Sequence, residues 1–168
     1  SDPHLLAIGV DASRENLRDA SRIAPMNAIF VISNVLALPC DLNSLAQRIT
    51  INFPWGSLLA GLLSADAGLL HGLYTIARQG ALLEVRLNAS ALAEQGCDLV
   101  SGGESVFHAL QQAGFQGNRP TLLGAEALRA IPTTWAHKMA YGRSPEAVCL
   151  SARMKGKNLA DRRHILYN

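Results

Sequence analysis

Short apolar runs alternate with segments of helical periodicity along most of this 168-residue chain. The apolar runs are bounded by Pro, Gly, Asp or Asn, which is typical of buried strands. Between them, apolar residues recur every three or four positions, as on the buried face of a helix. Predicted strands cover residues 4–10, 27–33, 49–53 and 81–87, and predicted helices follow Ser13 and cover 66–79 and 104–113. Strands that alternate with helices predict an α/β fold with a mostly parallel sheet.

The last part of the chain departs from this alternation. Two apolar segments, 120–124 and 146–154, are separated by the polar stretch TTWAHKMAYGR, which we expect to form a loop. Because no long crossover helix separates them, we predict that these segments pair antiparallel at a C-terminal edge of the sheet. The chain length suits one domain, and we predict that residues 1–168 form a single domain.

Composition excludes several classes of protein. Apolar residues make up 49% of the chain and charged residues 17%, as in an ordinary globular protein. No apolar run approaches the roughly 20 residues of a membrane-spanning helix, and no basic-then-apolar leader is found. We therefore expect a cytoplasmic protein with no membrane partner. The three cysteines are far apart and lack the spacings of a zinc site, so we expect buried free thiols and no metal.

Positive charge is concentrated at the C-terminal end of the chain. Residues 129–168 contain eight Lys and Arg against two acids, a surplus of about six, whereas the whole chain has a net charge of +2. A basic segment on a near-neutral body favours an anionic partner, nucleic acid above others. A basic tail that serves only solubility is the alternative.

Distinctive side chains follow three of the predicted strands, at the point where each strand ends. Asp11 ends the first, Ser33 and Asn34 end the second, and Trp55 follows the third. In an open parallel sheet, ligands bind outside the carboxyl ends of the strands, and an acid there often accepts hydrogen bonds from ribose hydroxyls. Capping of the next helix is the alternative role for Asp11. Together these residues predict a site for an adenosine-containing ligand.

The two tryptophans are poor candidates for the core. Trp55 lies between Pro and Gly, and Trp135 lies in a polar, basic stretch, so neither belongs to an apolar periodic run. A pair of aromatic plates can hold an unstacked base, with roughly 1–3 kcal/mol of stacking per base. Lys138 and Arg143 are then candidates for phosphate contacts, and His137 for a phosphate or solvent contact. Ordinary core packing of one or both indoles is the alternative.

The segments FPWGSLL, residues 53–59, and TTWAHKMAYGR, residues 133–143, resemble the Kam/Npm aminoglycoside-resistance methyltransferases. IGVDASRENLRDASR and NAIFVIS are also similar to the second and third strand regions of that family, so the resemblance covers most of the chain. It implies a class I, Rossmann-like methyltransferase that uses S-adenosyl-L-methionine. The implied reaction is methylation of N1 of adenine 1408, in the decoding site of 16S rRNA, by a monomer acting on the 30S subunit. The implied consequence is aminoglycoside resistance.

The resemblance also implies residue roles. The tryptophans that flank the flipped adenine correspond to Trp55 and Trp135, a hydroxyl near the base to Thr133, and a phosphate-binding arginine to Arg143. Positions implied to contact the cofactor are Asp11, Ala12, Ser33, Asn34, Val35, Leu36, Asn52 and Ser57.

The expected chemistry needs no general base. N1 of adenine carries a free lone pair, so no proton has to be removed before the methyl group is transferred. Positive charge develops on the purine ring, and indole faces stabilise such charge by cation–π attraction. Orientation of the nitrogen toward the methyl group supplies much of the rate. The absence of a His/Asp or Cys/His constellation near these motifs is consistent with that reaction.

The sequence departs from the family pattern at several places, among them a basic loop that is missing before the family's third strand and a shortened region after Leu87. In the family, a preceding strand ends in a Gly-rich turn that holds the methionine part of the cofactor, and this sequence begins after it, so we expect a longer chain. Leu36 replaces a glutamate that is usual near the cofactor adenine, and Pro145 replaces a second arginine. Two alternatives stay open: another class I methyltransferase, acting on tRNA or a small molecule, and a non-catalytic RNA-binding relative.

Overall fold

A computed structural model describes residues 5–131, 133–141 and 145–155. The chain forms two compact units, one that extends to Asn43 and one that begins at Ser44.

The N-terminal unit is a βαβ motif. It consists of β1 (Ala7–Asp11), α1 (Arg14–Arg22) and β2 (Ala28–Ile32), followed by 3₁₀ turns at Val35–Ala37 and Cys40–Leu42. The two strands pair in parallel, as expected for strands joined by a crossover helix. The helix begins where predicted, because the Ser13 side chain accepts a hydrogen bond from the Asn16 N–H at 3.3 Å.

The C-terminal unit is built on a five-stranded sheet with the order β3-β4-β7-β5, in which β6 also pairs with β7. Its elements are β3 (Ala46–Asn52), α2 (Gly56–Leu63), α3 (Ala67–Ile76), β4 (Ala77–Asn88), α4 (Ala89–Glu94), α5 (Leu99–Gln112), β5 (Phe115–Gly117), β6 (Thr121–Leu123), α6 (Ala125–Ala130), α7 (Thr134–Ala140) and β7 (Ala147–Met154). β3 and β4 are parallel, whereas β7 is antiparallel to β4, β5 and β6. The α/β class and the antiparallel pairing of the last two strands are confirmed.

The core of the C-terminal unit lies on one face of this sheet. Alternate residues of β4 and β7 point to the same face, and Leu83, Val85 and Leu150 there are at most 1% exposed. α5 covers this face with Val106 and Leu110, which are equally buried. The opposite face of β4 carries Glu84 and Arg86, so the sheet is apolar on one side and polar on the other at this point.

The predicted helix over 66–79 is too long. α3 ends at Ile76, and β4 begins at the next residue, where Ala77 pairs with Ala46 of β3. Gly80, the residue after the predicted helix, lies inside the strand with φ +77°, at an irregularity in the β3–β4 register. Pairing with β3 competes with the last helical turn, and glycine accommodates the left-handed backbone that the irregularity requires.

In the part of the chain that the structure describes, no single helix is long and apolar enough to cross a membrane. α2 and α3 together meet the criteria of length and composition, but they are bent by 96° at the break between them.

Candidate cofactor and base-binding site

Asp11 is the last residue of β1 and is partly buried. Its Oδ1 accepts a hydrogen bond from the Ser13 N–H at 2.7 Å, and its Oδ2 accepts one from Asn16 Nδ2 at 3.2 Å. The carboxylate therefore does stabilise the start of α1, which was the alternative role. Each carboxylate oxygen has a second lone pair, so Asp11 can still accept hydrogen bonds from two ribose hydroxyls. Ala12 follows it and is exposed.

The segment from Ser33 to Leu36 lies beside Asp11, because the Ser33 N–H donates to the Asp11 carbonyl at 3.1 Å. The Ser33 hydroxyl donates to the Ala37 carbonyl at 2.8 Å, and Asn34 Oδ1 accepts from the Leu36 N–H at 3.0 Å. These two polar side chains shape the 3₁₀ turn.

The turn leaves Val35 partly buried and the apolar Leu36 side chain 58% exposed. An acceptor for ribose hydroxyls beside an exposed apolar side chain suits an adenosine group.

In the C-terminal unit, the chain leaves β3 through an unusual backbone. Phe53 has φ +52° although it precedes a proline, and Gly56 has φ +55°. A left-handed conformation costs a bulky residue such as Phe53 of the order of 1–3 kcal/mol, and it persists only where the surroundings impose it. Glycine adopts this conformation freely, so Gly56 is the suitable residue at the start of α2. Nothing in the amino-acid sequence indicates the left-handed backbone of Phe53.

Trp55 is 47% exposed, in extended backbone between buried Pro54 and the first turn of α2. Within the described residues, no side chain caps the N-terminus of that helix. Trp55 is therefore not a core residue, and a substantial part of its indole surface can contact a ligand. Ser57 is exposed in the same first turn.

Asn52, the last residue of β3, is exposed and lies beside Arg86 of β4. Arg86 Nη1 donates to Asn52 Oδ1 at 2.8 Å, and the Arg86 carbonyl accepts from the Phe53 N–H at the same distance. Arg86 also pairs with Glu84 at 3.2 Å. Arg86 was not identified from the sequence, because an arginine that alternates with apolar residues in a strand resembles an ordinary surface charge.

Trp135 lies in α7, so the predicted loop is wrong. The helix forms because Thr133 Oγ1 accepts a hydrogen bond from the Ala136 N–H at 3.1 Å, which caps the first turn. His137 and Lys138 are exposed on the same helix. The side chain of Trp135 and the whole of Arg143 lie outside the described residues, so their roles stay predictions.

An apolar cluster joins the segments that carry the two tryptophans. Phe53 is 8% exposed and packs with Ala136 and Ala140 of α7. We call this group the Phe53 cluster; its other members are Leu123, Leu128, Ile131, Met139 and Ala147. Phe53 is two residues from Trp55, and Ala136 is adjacent to Trp135. The structure therefore brings α7 against the exit of β3, as a shared base-binding site requires.

The cysteines differ from the prediction in part. Cys40 is exposed rather than buried, whereas Cys97 and Cys149 are partly buried. Burial raises the pKa of the Cys149 thiol, which reduces its reactivity. Among the described residues, no group of three or more His, Cys, Asp or Glu side chains could hold a metal ion.

A parallel βαβ motif with an acid at its first strand end and an antiparallel C-terminal strand are both features of class I methyltransferases. A family model described as "NpmA: 16S rRNA (adenine(1408)-N(1))-methyltransferase" matches residues 1–154. The chain belongs to this family, and the resemblance seen in the sequence is confirmed.

Two curated relatives carry the same description. The 16S rRNA (adenine(1408)-N(1))-methyltransferase of Escherichia coli is 27% identical over 161 residues, with 85% of this chain and 74% of the relative covered. That of Streptoalloteichus hindustanus is 28% identical over 151 residues, with 82% and 70% covered. A variant of the Catenulisporales acidiphilia enzyme, solved with cosubstrate SAM, has the same fold, with a TM-score of 0.75 at 24% identity; 93% of this chain and 78% of that chain are covered.

Family membership defines the activity of the chain. It is an RNA methyltransferase that uses S-adenosyl-L-methionine to methylate N1 of an adenine in 16S rRNA. The two alternatives, a different class I methyltransferase and a non-catalytic RNA-binding relative, are not favoured.

Proposed function

We propose that this chain methylates N1 of adenine 1408 in the assembled 30S subunit, and that Trp55 and Trp135 hold the flipped base. The observation that carries the proposal is Trp55, a half-exposed indole that buried neighbours fix at the carboxyl end of β3. The enzyme acts as a monomer in the cytoplasm, where ribosomal subunits are found. Its two compact units belong to one methyltransferase domain, since one family model runs through both.

The residues at the strand ends bind the cofactor, which supplies an electrophilic methyl group on a sulfonium sulfur. Asp11 accepts hydrogen bonds from the ribose hydroxyls with the lone pairs that its helix-capping bonds leave available. Leu36 packs against the adenine ring, with Ala12, Ser33, Asn34 and Val35 around it. An apolar side chain suits a ring face, although it lacks the hydrogen-bond acceptor that the glutamate usual in the family provides.

Asn52 and Ser57, in the C-terminal unit, also contact the cofactor. Both are exposed, one at the end of β3 and one in the first turn of α2. Trp55, which holds the base, lies between them in the sequence. One segment of six residues therefore carries both cofactor contacts and a base contact. Rigid placement of this segment therefore aligns the methyl group with N1.

Trp55 and Trp135 stack on the two faces of the target adenine. Taking the base out of its helix costs a few kcal/mol, and stacking worth roughly 1–3 kcal/mol per base offsets part of this. The indole faces also stabilise the positive charge that develops on the purine, by about 0.5–2 kcal/mol each. Thr133 Oγ1 accepts the capping bond of α7, and its hydroxyl hydrogen donates to an acceptor on the base.

The basic C-terminal segment binds the RNA backbone. His137 and Lys138 are exposed on α7, directly after Trp135, and Arg143 follows the helix in the sequence. Phosphate contacts from these residues position the RNA without reading its sequence. The product base carries a methyl group and a positive charge on its pairing edge, which disfavours binding of cationic aminoglycosides and gives resistance.

The test is methylation of purified 30S subunits with labelled S-adenosyl-L-methionine, followed by primer extension. N1-methyladenine blocks the pairing edge, so reverse transcriptase should stop next to position 1408, and label should appear in 16S rRNA. Protein-free 16S rRNA is the matched control and should accept much less label. Label in tRNA but not in 30S subunits, or a stop elsewhere, would contradict the proposal.

A further inference from the structure

Arg86 and Asn52 form a close pair at the exit of β3. The 2.8 Å bond runs from Arg86 Nη1 to Asn52 Oδ1, and the two residues are register partners in the parallel β3–β4 pair. The Arg86 side chain is only 16% exposed, whereas Asn52 is exposed. The guanidinium therefore supports an amide that faces outward from the strand end.

This contact determines which way the Asn52 amide is turned. Arginine carries only hydrogen-bond donors, so the atom that faces it must be the amide oxygen rather than the amide nitrogen. The Nδ2 group then points away from Arg86. Asn52 is consequently an oriented donor, and its binding partner must be a hydrogen-bond acceptor.

Further contacts hold Arg86 itself in place. Glu84 pairs with Arg86 at 3.2 Å, and its other oxygen lies 3.7 Å from Arg48 Nε. The Arg86 carbonyl accepts the Phe53 N–H, so the same residue fixes the backbone one position after Asn52. A charge-assisted bond in a partly buried position is stronger and better oriented than one at the surface.

We propose that Arg86 is a positioning residue, which turns the Asn52 amide so that Nδ2 donates to an acceptor oxygen of the cofactor. Candidate acceptors are the oxygens of its carboxylate and of its ribose; the cofactor ammonium is excluded because it is itself a donor. This inference rests on the proposed function, in which Asn52 contacts the cofactor.

The experiment measures affinity for S-adenosylhomocysteine by calorimetry, beside thermal unfolding without ligand, for a set of variants. Asn52→Asp keeps an oxygen toward Arg86 but replaces the donor with an acceptor. We expect it to unfold no earlier than wild type and to bind at least tenfold more weakly, about 1.4 kcal/mol. Wild-type affinity in Asn52→Asp would overturn the donor assignment.

Arg86→Met should also weaken binding about tenfold, because the Asn52 amide is then free to rotate. Arg48→Met is the matched control: it removes a guanidinium that pairs with the same Glu84 but lies 67% exposed and makes no described contact with Asn52. Its affinity should stay within about twofold of wild type. An equal loss in both arginine variants would indicate a general effect of charge and would overturn the positioning role.

A double-mutant cycle separates positioning from a structural role. In an Asn52→Ala background, Arg86→Met should cause no further loss of affinity, because the residue through which it acts is gone. A further tenfold loss in that background would overturn the inference. Unchanged affinity of Asn52→Ala itself would instead refute the contact assumed in the proposed function, so the two failures are distinguishable.

A second ligand identifies the acceptor. 5′-Methylthioadenosine has the ribose but lacks the amino-acid end of the cofactor. If Asn52→Asp loses affinity for S-adenosylhomocysteine alone, the acceptor is the carboxylate; equal losses for both ligands assign it to the ribose. Either result supports an acceptor oxygen, whereas tighter binding of S-adenosylhomocysteine by Asn52→Asp would assign the contact to the ammonium and refute the proposal.

Discussion

Phe53 should show an inverted order of stability between its alanine and glycine variants. The side chain is 8% exposed in the Phe53 cluster, so truncation to alanine should cost about 3–5 kcal/mol of unfolding free energy. The backbone at this position has φ +52°, which penalises alanine by roughly 1–2 kcal/mol and glycine hardly at all. We therefore expect Phe53→Gly to be at least as stable as Phe53→Ala, although glycine is ordinarily the less stable choice.

The assay is urea unfolding with the slope compared among variants, and Phe107 provides a matched control. Phe107 is also 8% exposed, but it lies inside α5, where glycine should be about 1 kcal/mol less stable than alanine. If Phe53→Gly is also less stable than Phe53→Ala by that amount, the left-handed conformation at the exit of β3 is refuted.

The same variants test whether the Phe53 cluster positions α7 for function. Below the melting temperature of every variant, Phe53→Ala should methylate 30S subunits much more slowly than wild type, because α7 loses its contact with the Trp55 segment. Phe107→Ala should lose comparable stability, but Phe107 lies in α5 and is not part of the Phe53 cluster, so this variant should keep most of its rate. Equal rates in the two variants would contradict the positioning of α7 by Phe53.

Three further predictions address cofactor binding, pH and RNA binding. Asp11→Asn keeps one oxygen for the Ser13 N–H but loses the charge, so calorimetry should show at least a tenfold weaker S-adenosylhomocysteine complex, about 1.4 kcal/mol, with little change in the melting temperature. Asp98 is the N-cap of α5, and hydrogen bonds from the Ser101 N–H and hydroxyl and from the Val100 N–H lower the pKa of its carboxyl. The ionised carboxylate therefore stabilises the fold at pH 7, and this contribution is lost as the pH falls below 3.8 and through the lowered pKa of the folded state. Urea unfolding of wild type and Asp98→Asn should therefore show a stability difference that narrows in acid, and a constant difference would refute this. Binding to 30S subunits should weaken steeply with salt, as phosphate contacts require; a flat response between low and moderate salt would contradict a basic RNA-binding surface.

The sequence predicts the strands of both units better than the segments between them. The apolar runs at β1, β2 and β7 are bounded by polar or breaking residues, so their limits are visible, and Ser13 marks the start of α1 through ordinary capping. α7 was missed because its segment was interpreted as a polar loop, although its apolar residues Trp135, Ala136, Met139 and Ala140 recur at helical spacing. Ala136 and Ala140 pack with Phe53, which lies far away in the chain. α3 was extended too far because its apolar periodicity continues into β4.

The location of a candidate residue is predictable where it lies at the end of a strand, as for Asp11 and Trp55. A role is not predictable where it depends on contacts between strands. Arg86 acts on Asn52 through the β3–β4 register, which a single strand does not encode. The left-handed Phe53 is also invisible, since a residue before proline ordinarily favours extended backbone.

Methylation by Trp55 variants tests the central claim most directly. Single-turnover methylation of 30S subunits is measured for Trp55→Ala and Trp55→Phe, beside the melting temperature and S-adenosylhomocysteine affinity. We predict that the alanine variant loses roughly 10- to 100-fold in rate, since stacking worth 1–3 kcal/mol is removed, while the phenylalanine variant keeps part of it. Because Trp55 is 47% exposed, melting temperature and affinity should stay near wild type. A wild-type methylation rate in Trp55→Ala, or a rate loss matched by a collapse of the melting temperature, would contradict the claim that this indole holds the target adenine.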